Sequence, residues 1–322
     1  FWVGSPLPPP PPRDAAMFDE RVLDNLDVLD HLQLYGSTTK VAERMGLSQS
    51  SCSRRYRALS ALFDLGVDPS DGSYEPHQNI DVLADMRKVA QKLRVRRLVL
   101  RCSLGWQAKG LALPAGFGLL DLASMATGQA LSQLEGRLVD VWLGGLLECQ
   151  PLISASLEVV QGNRLTVGHS LLALPLLRWE YVLVSHRNHP LQRRRSIGPG
   201  DLAQYPSLAL PLGVAPLFTR ALKAHGLASC PYGGRDYIAS RWEGIASDDH
   251  SLAVVPPHRL QQLEAEHDLV PVRYGLGIQE VMAVVGHRDA IGDPCFVKAF
   301  QALREAVRQS PMGSCSQVSW LH

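Results

Sequence analysis

Between Gly36 and Ser48 the chain is punctuated twice, at a spacing that suits three short helices folded on one another. Upstream of Gly36, Val22, Leu26 and Leu29 recur at i, i+4 and i+7, with Leu23 and Leu32 alongside, which predicts a first helix from Arg21. Gly36 suits a left-handed cap, and Ser37 can accept from the open amides of the next turn. A second helix then runs from Thr38 to Met45, with Val41 and Ala42 inward. Gly46-Leu47-Ser48 supplies a tight turn, a buried plug and a new N-cap, and the third helix covers Gln49 to about Leu62. On that third helix Ser50, Ser53, Arg54 and Arg57 fall within about 100° of arc, with Cys52 and Leu59 opposite. Hydroxyls and guanidiniums on one side of a helix suit the major groove of a duplex: arginine can grip guanine, glutamine can read adenine, and serine can meet a base or a phosphate.

Charge places this basic side locally. The whole chain carries 32 Lys+Arg against 31 Asp+Glu over 322 residues, which excludes a globally basic coat. Within residues 21–62 five of the six positives (Lys40, Arg44, Arg54, Arg55, Arg57; the sixth is Arg21) gather on helices two and three, while three of the four acids (Asp24, Asp27 and Asp30; the fourth is Glu43) sit on helix one. A hydrophobic fraction of 46% with 20% charged residues describes a globular chain long enough for two compact units. The six cysteines are far apart and form no C-x-x-C pair, so ordinary reduced thiols and a cytoplasmic protein are expected. The longest uncharged stretch, Leu202 to Thr219, is broken by three prolines, so no membrane span is expected. Residues 1–20 contain the proline run Pro8–Pro12 and read as a disordered leader upstream of a start at Met17.

The run from Gly36 to Leu59, GSTTKVAERMGLSQSSCSRRYRAL, resembles the winged helix-turn-helix of LysR-type transcriptional regulators, in which the matching positions read roughly GSFTAAAERLGLSQSAVSRRIRAL. The match is gap-free over 24 residues. It implies an α/β protein: an N-terminal winged helix-turn-helix (21–77), a linker and dimerisation helix (78–96), and a two-lobed periplasmic-binding-protein-like α/β effector domain (97–310). Lobe I would take about 97–177 and 281–310, lobe II about 178–280, and 311–322 would be a flexible tail. By the same resemblance Thr38, Ser48, Gln49, Ser50, Ser53, Arg54 and Arg57 would contact double-stranded DNA. Departures from the pattern are Val41, Cys52, Tyr56 and Ser60, and above all the wing, where the acidic segment Asp68–Pro76 lacks the arginines that reach phosphate.

Beyond the wing, Ile80, Leu83, Met86 (or Arg87), Ala90 and Leu93 approximate a heptad seam over Gln78–Leu93. Strands are expected at 97–102, 119–123 and 208–211, and the resemblance implies further ones at 137–145, 179–191 (a crossing strand ending in His-Pro-Leu), 251–256 and 281–285. Helices are expected at 129–135, near Ala215 and at 296–307, the last with Phe300, Leu303 and Val307 inward. The segment from Gly105 to Leu119 is shorter than the family's, which implies a reduced first effector helix. Ligands in such sheets settle at strand carboxyl ends, where helix N-termini point. The resemblance implies a small-molecule effector, commonly an anion, held by Ser103, Leu104 and Gly105, by Thr127 and Gly128, and by Leu212, Gly213 and Val214. It also implies a homodimer or homotetramer.

No G-x-S-x-G, P-loop, H-E-x-x-H or G-x-G-x-x-G is present, so no enzymatic chemistry, cofactor or metal is expected. His169-Ser170 has no third partner, His186 and His189 read as surface residues, and Arg193-Arg194-Arg195 as a solvated run. Cys149 and Cys230 lack any sign of a lowered thiol pKa that a redox sensor needs. The alternative reading is a solute-binding protein of the same fold that has lost DNA binding.

Overall fold

The computed structural model describes residues 21–70, 72–120, 122, 126–154, 156–211, 213–230 and 250–321. The chain divides into two compact units, one ending at Arg87 and one beginning at Lys88.

The first unit holds α1 (Val22–Tyr35), α2 (Thr38–Met45), α3 (Gln49–Phe63) and the first two turns of α4 (Ile80–Arg97). Gly36 and Gly46 close α1 and α2 at φ 63 and 64°, where a side chain would be strained. Leu26, Leu29 and Leu32 pack with Val41, Ala42, Cys52, Tyr56 and Leu59, all buried. Leu23, expected alongside them, is exposed, because its position falls off the stripe that faces α2 and α3. The seam expected on α4 is split: Leu83 and Ala90 are buried, whereas Ile80 is 58% exposed. Arg87 is buried in an ion pair, its Nε donating to Asp30 Oδ1 at 2.8 Å.

The second unit is built on one eight-stranded mixed sheet of order β2-β1-β3-β7-β5-β4, with β6 and β8 also paired to β5. The strands are β1 (Leu100–Leu104), β2 (Phe117–Leu119), β3 (Val141–Gly145), β4 (Leu165–Val167), β5 (Leu171–His186), β6 (Leu252–Val255), β7 (Leu269–His287) and β8 (Ser319–Trp320). β1 runs parallel to β2 and β3; β7 pairs antiparallel with β3 and β5. Helices α5 (Thr127–Glu135), α6 (Pro216–Ala224), α7 (Leu260–His267) and α8 (Phe296–Gln309) are joined to them.

Two apolar cores give the two lobes. One gathers Cys102, Leu143, Trp179, Met282 and Leu303; the other gathers Tyr181, Leu183, Phe218, Leu252 and Ile278. The long strands β5 and β7 serve both cores, and β5 crosses between them where its register with β7 shifts, at Glu180–Val182. A bulge there lets one strand turn its side chains from one core to the other.

Several expectations are corrected. The second strand lies at 117–119 and not 119–123, and 121 and 123–125 fall outside the described residues. α4 runs to Arg97, so β1 starts only at Leu100. Residues 208–211 form no strand; Ser207 and Leu208 make single bridges, to Leu252 and Cys230. On α8 it is Phe296, Ala299, Leu303 and Val307 that are buried, with Phe300 only half-buried. His189 is fully buried and accepts from the Leu191 amide through Nδ1, capping a turn rather than facing solvent. The tail is ordered: Pro311–Ser314 forms a helical turn, and β8 pairs with Leu177 and Arg178 of β5. Met312 and Val318 drive this by entering the lobe I core, and two apolar anchors are too few for a periodicity argument to see. The proline-rich leader lies outside the described residues.

Candidate nucleic-acid interface and interlobe cleft

Both helix starts that shape the candidate DNA face are capped by serines. Ser37 Oγ accepts from the Lys40 amide at 3.5 Å, and Ser48 Oγ accepts from the Ser51 amide at 3.1 Å. Ser48 Oγ also donates to Ser51 Oγ at 2.9 Å, and Arg54 Nη2 donates to the same Ser51 oxygen at 3.3 Å. Gln49 Nε2 donates to Thr39 Oγ1 at 2.8 Å, tying the start of α3 to α2. Ser48, Gln49, Ser50, Arg54 and Arg57 are exposed, and Thr38 and Ser53 are half-buried, while Cys52, Tyr56 and Leu59 point into the core. The structure therefore brings the DNA-facing candidates together on one solvent side. Ser51 and Thr39 belong to the same patch and were not singled out from the sequence; the i, i+3 spacing of Ser48, Ser51 and Arg54 is the signal for the first of them. Since the Ser48 hydroxyl is committed to capping, Ser48→Ala is expected to destabilise the first unit by about 1 kcal/mol, read as a shift in the urea midpoint of the transition that reports α3.

The wing is a short excursion closed by a single antiparallel bridge, Val67 to Pro76. Leu65 and Tyr74 are buried, and the Tyr74 ring meets Tyr56 edge-on at 5.4 Å. This contact explains why an aromatic stands at position 56 where the resembling family has an aliphatic. At the exposed tip Asp68 Oδ1 accepts from the Ser70 amide at 2.8 Å; Asp71 lies outside the described residues.

In the second unit the expected effector positions sit differently from one another. Ser103 is buried, with no hydrogen-bond partner for Oγ among the described residues. Leu104 is half-buried, and Gly105 lies buried against Gly144 and the Trp142 ring. Thr127 is buried at the start of α5 and Gly128 is exposed beside it. Val214 is part of the lobe II core, Gly213 is exposed, and Leu212 lies outside the described residues.

The ground between the lobes is filled by groups that the sequence reading did not single out. The Trp106 ring stacks on Tyr181 at 5.9 Å and contacts Phe218 at 5.6 Å, and Tyr181 meets Phe218 at 4.5 Å. Beneath them the Glu280 carboxylate is wholly buried. It accepts from Gln107 Nε2 at 3.0 Å, Tyr181 Oη at 3.1 Å, and the amides of Leu147 at 2.9 Å and Val281 at 3.1 Å. Gly145 faces it because a Cβ there would collide with both Glu280 and Gln107. The N-terminus of α6 is also taken: Glu148 accepts from the amides of Leu217 at 3.0 Å and Phe218 at 2.7 Å. A helix start that would attract an anion thus carries the chain's own carboxylate. Burial pushes the Glu148 carboxyl up, against the pull of those two amides.

Burial likewise raises Glu280 from an ordinary 4.5 to about 7, with its four donors opposing the shift. A carboxyl whose pKa is raised by folding favours the native state while protonated, so its contribution is full below pH 4.5 and fades as pH rises through about 7. Burial also lowers His258 to about 4, which acts in the opposite sense at acid pH. The Glu280 contribution is therefore the difference between wild type and Glu280→Gln. Thermal melts from pH 5 to 8 are expected to show wild type losing ground to Glu280→Gln as pH rises; parallel curves would exclude the buried acid. Burial pushes the Cys149 thiol up to about 12, away from the thiolate a redox sensor needs.

No protein-family profile and no curated protein sequence matches the chain. Solved structures do. A full-length OxyR variant from Pseudomonas aeruginosa, with one cysteine replaced by aspartate, aligns with a TM-score of 0.54 at 15% identity, covering 91% of this chain and 95% of that one. ArgP from Mycobacterium tuberculosis aligns with a TM-score of 0.51 at 12% identity, covering 91% and 98%. The chain shares the overall fold of these two proteins. At these identities the likeness is one of fold.

Proposed function

We propose that this chain is a sequence-specific, DNA-binding transcriptional regulator of LysR type, controlled by a small molecule bound in its two-lobed domain. The observation that carries the reading is the exposed Ser/Gln/Arg side of α3, backed by a buried core and entered through the Gly46–Ser48 turn. Residues 21–77 act as the winged helix-turn-helix, 78–96 as the linker and 97–310 as the effector domain. The protein works by binding and not by catalysis, in the cytoplasm, as a homodimer or homotetramer. The exposed Ile80 and Val89 of α4 support self-association through that helix. No helix among the described residues is long and apolar enough to cross a membrane.

Expected effector contacts remain Ser103, Leu104, Gly105, Thr127, Gly128, Leu212, Gly213 and Val214. The Glu148 carboxylate already occupies the amides at the start of α6, so an anionic effector there would have to displace it. The test is a gel-shift titration of the full chain on the DNA adjoining its own gene. Binding that falls steeply with salt, as released counterions require, supports the regulator. The acidic wing favours one second reading, a solute-binding protein of the same fold; absence of saturable DNA binding at low salt together with ligand-induced thermal stabilisation would select it.

A further inference from the structure

The second half of α4 carries Lys88, Lys92 and Arg96 at i, i+4 and i+8, so three cations stand in a row within about 80° of arc, and all three are exposed. They form one wall of a cavity of about 600 Å³, within the size range of small-molecule sites. Arg288, just after β7, and Arg137, in the turn after α5, line the same hollow. All five belong to the second unit.

Two carboxylates, Asp289 and Asp293, also line the cavity, which leaves an excess of three positive charges. Both carboxylates are already engaged. Asp289 Oδ2 accepts from Arg137 Nη2 at 2.7 Å and lies 3.8 Å from Lys88 Nζ, and Asp293 Oδ2 lies 3.6 Å from Arg96 Nε. Lys92, the middle of the row, has no ion pair or hydrogen bond among the described residues. Arg288 Nη2 donates to the His169 carbonyl at 3.1 Å, an uncharged acceptor. Like charges four apart on a helix repel one another, and a concave wall of one sign concentrates its field on whatever enters. A monocarboxylate would cancel one of the three excess charges, whereas a phosphate monoester brings about two and a diphosphate more. An arginine fork and a lysine point charge are the usual holders of phosphate oxygens.

We infer that this cavity binds a small molecule through a polyvalent phosphate group, held by Lys92 and Arg288, at a place distinct from the strand-end positions expected to hold an effector. The inference does not depend on DNA binding, so it can fail or stand apart from the regulator reading.

Pyrophosphate is the probe, with acetate for comparison. Calorimetric titration of the full chain, at an ionic strength held constant with chloride, is expected to give saturable binding of pyrophosphate, one ion per chain, with acetate at least about tenfold weaker. Lys92→Gln combined with Arg288→Gln is expected to weaken pyrophosphate by about tenfold or more. Lys92→Gln alone is expected to weaken it severalfold; it breaks no bond among the described residues and keeps a good helix former, so it decides the matter even if the double variant unfolds. Arg54→Ala, on α3, is expected to leave pyrophosphate binding as it is in wild type. Absence of saturable pyrophosphate binding, equal affinity for acetate, wild-type affinity in Lys92→Gln, or loss of pyrophosphate binding in Arg54→Ala would each overturn the inference.

Discussion

Asp140→Ala is expected to destabilise the second unit by about 3–5 kcal/mol, the cost of removing one partner from a buried ion pair. Asp140 is fully buried and holds four donors. Its Oδ2 accepts from Arg94 Nε at 2.8 Å and the Arg101 amide at 2.9 Å, and its Oδ1 from Arg94 Nη2 at 2.8 Å and Gln91 Nε2 at 3.2 Å. The side-on, two-pronged grip of Arg94 is the strong form of this bond. Alanine would leave the Arg94 guanidinium, 16% exposed, largely out of water and without its carboxylate. Arg137, which donates to Gln91 Oε1 at 2.5 Å, would lose the support that holds Gln91 in place. Urea unfolding followed by Trp fluorescence measures the loss; a change below about 1 kcal/mol would show that the network is slack. Replacing Asp140 and Arg94 together by apolar residues should recover much of it, because no charge is then left stranded.

Arg54→Ala is expected to weaken specific DNA binding by about 1–3 kcal/mol, or about 5- to 150-fold. The Arg54 side chain is exposed on α3, and its recorded hydrogen bond is the one to Ser51 Oγ at 3.3 Å. It can therefore leave that oxygen for a stronger acceptor, and its removal should leave the circular dichroism of the helices unchanged. The form of the loss separates two roles. If the guanidinium reads a guanine, discrimination relaxes at one base pair; if it grips a phosphate, affinity falls on all sequences and the salt slope drops by about one. Unchanged affinity at every salt concentration would remove Arg54 from the DNA face.

The legible part of this protein is the part governed by short-range rules. α1, α2 and α3 could be read because Gly36, Ser37, Gly46 and Ser48 mark their ends and because 3.6-residue periodicity separates Cys52 and Leu59 from Ser50 and Arg54. The two long crossing strands, Leu171–His186 and Leu269–His287, are legible in the sequence only as pieces at 179–191 and 281–285, because which apolar segments join one ladder is decided by pairing between stretches remote along the chain. Residues 208–211 have strand composition but only bridges for partners. Phe300 and Ala299 exchanged places because an apolar residue beside the stripe cannot be told from one on it by spacing alone.

The candidate small-molecule ground was hidden for a different reason. Glu280 meets Gln107, Leu147 and Tyr181 across separations of 173, 133 and 99 residues. In sequence it is merely a carboxylate inside an apolar strand, and the same is true of Glu148 beside Leu147 and Cys149. From sequence alone came the third helix, its capped turns, its polar side and the alternation of strands and helices behind it, because backbone hydrogen bonding and side-chain period act over a few residues. Only the tertiary structure decided which carboxylates are buried, which aromatic rings close the ground between the lobes, and that the tail is stitched into the sheet. Burial, pKa and cavity shape depend on what packs nearby, and most of those neighbours are remote along the chain.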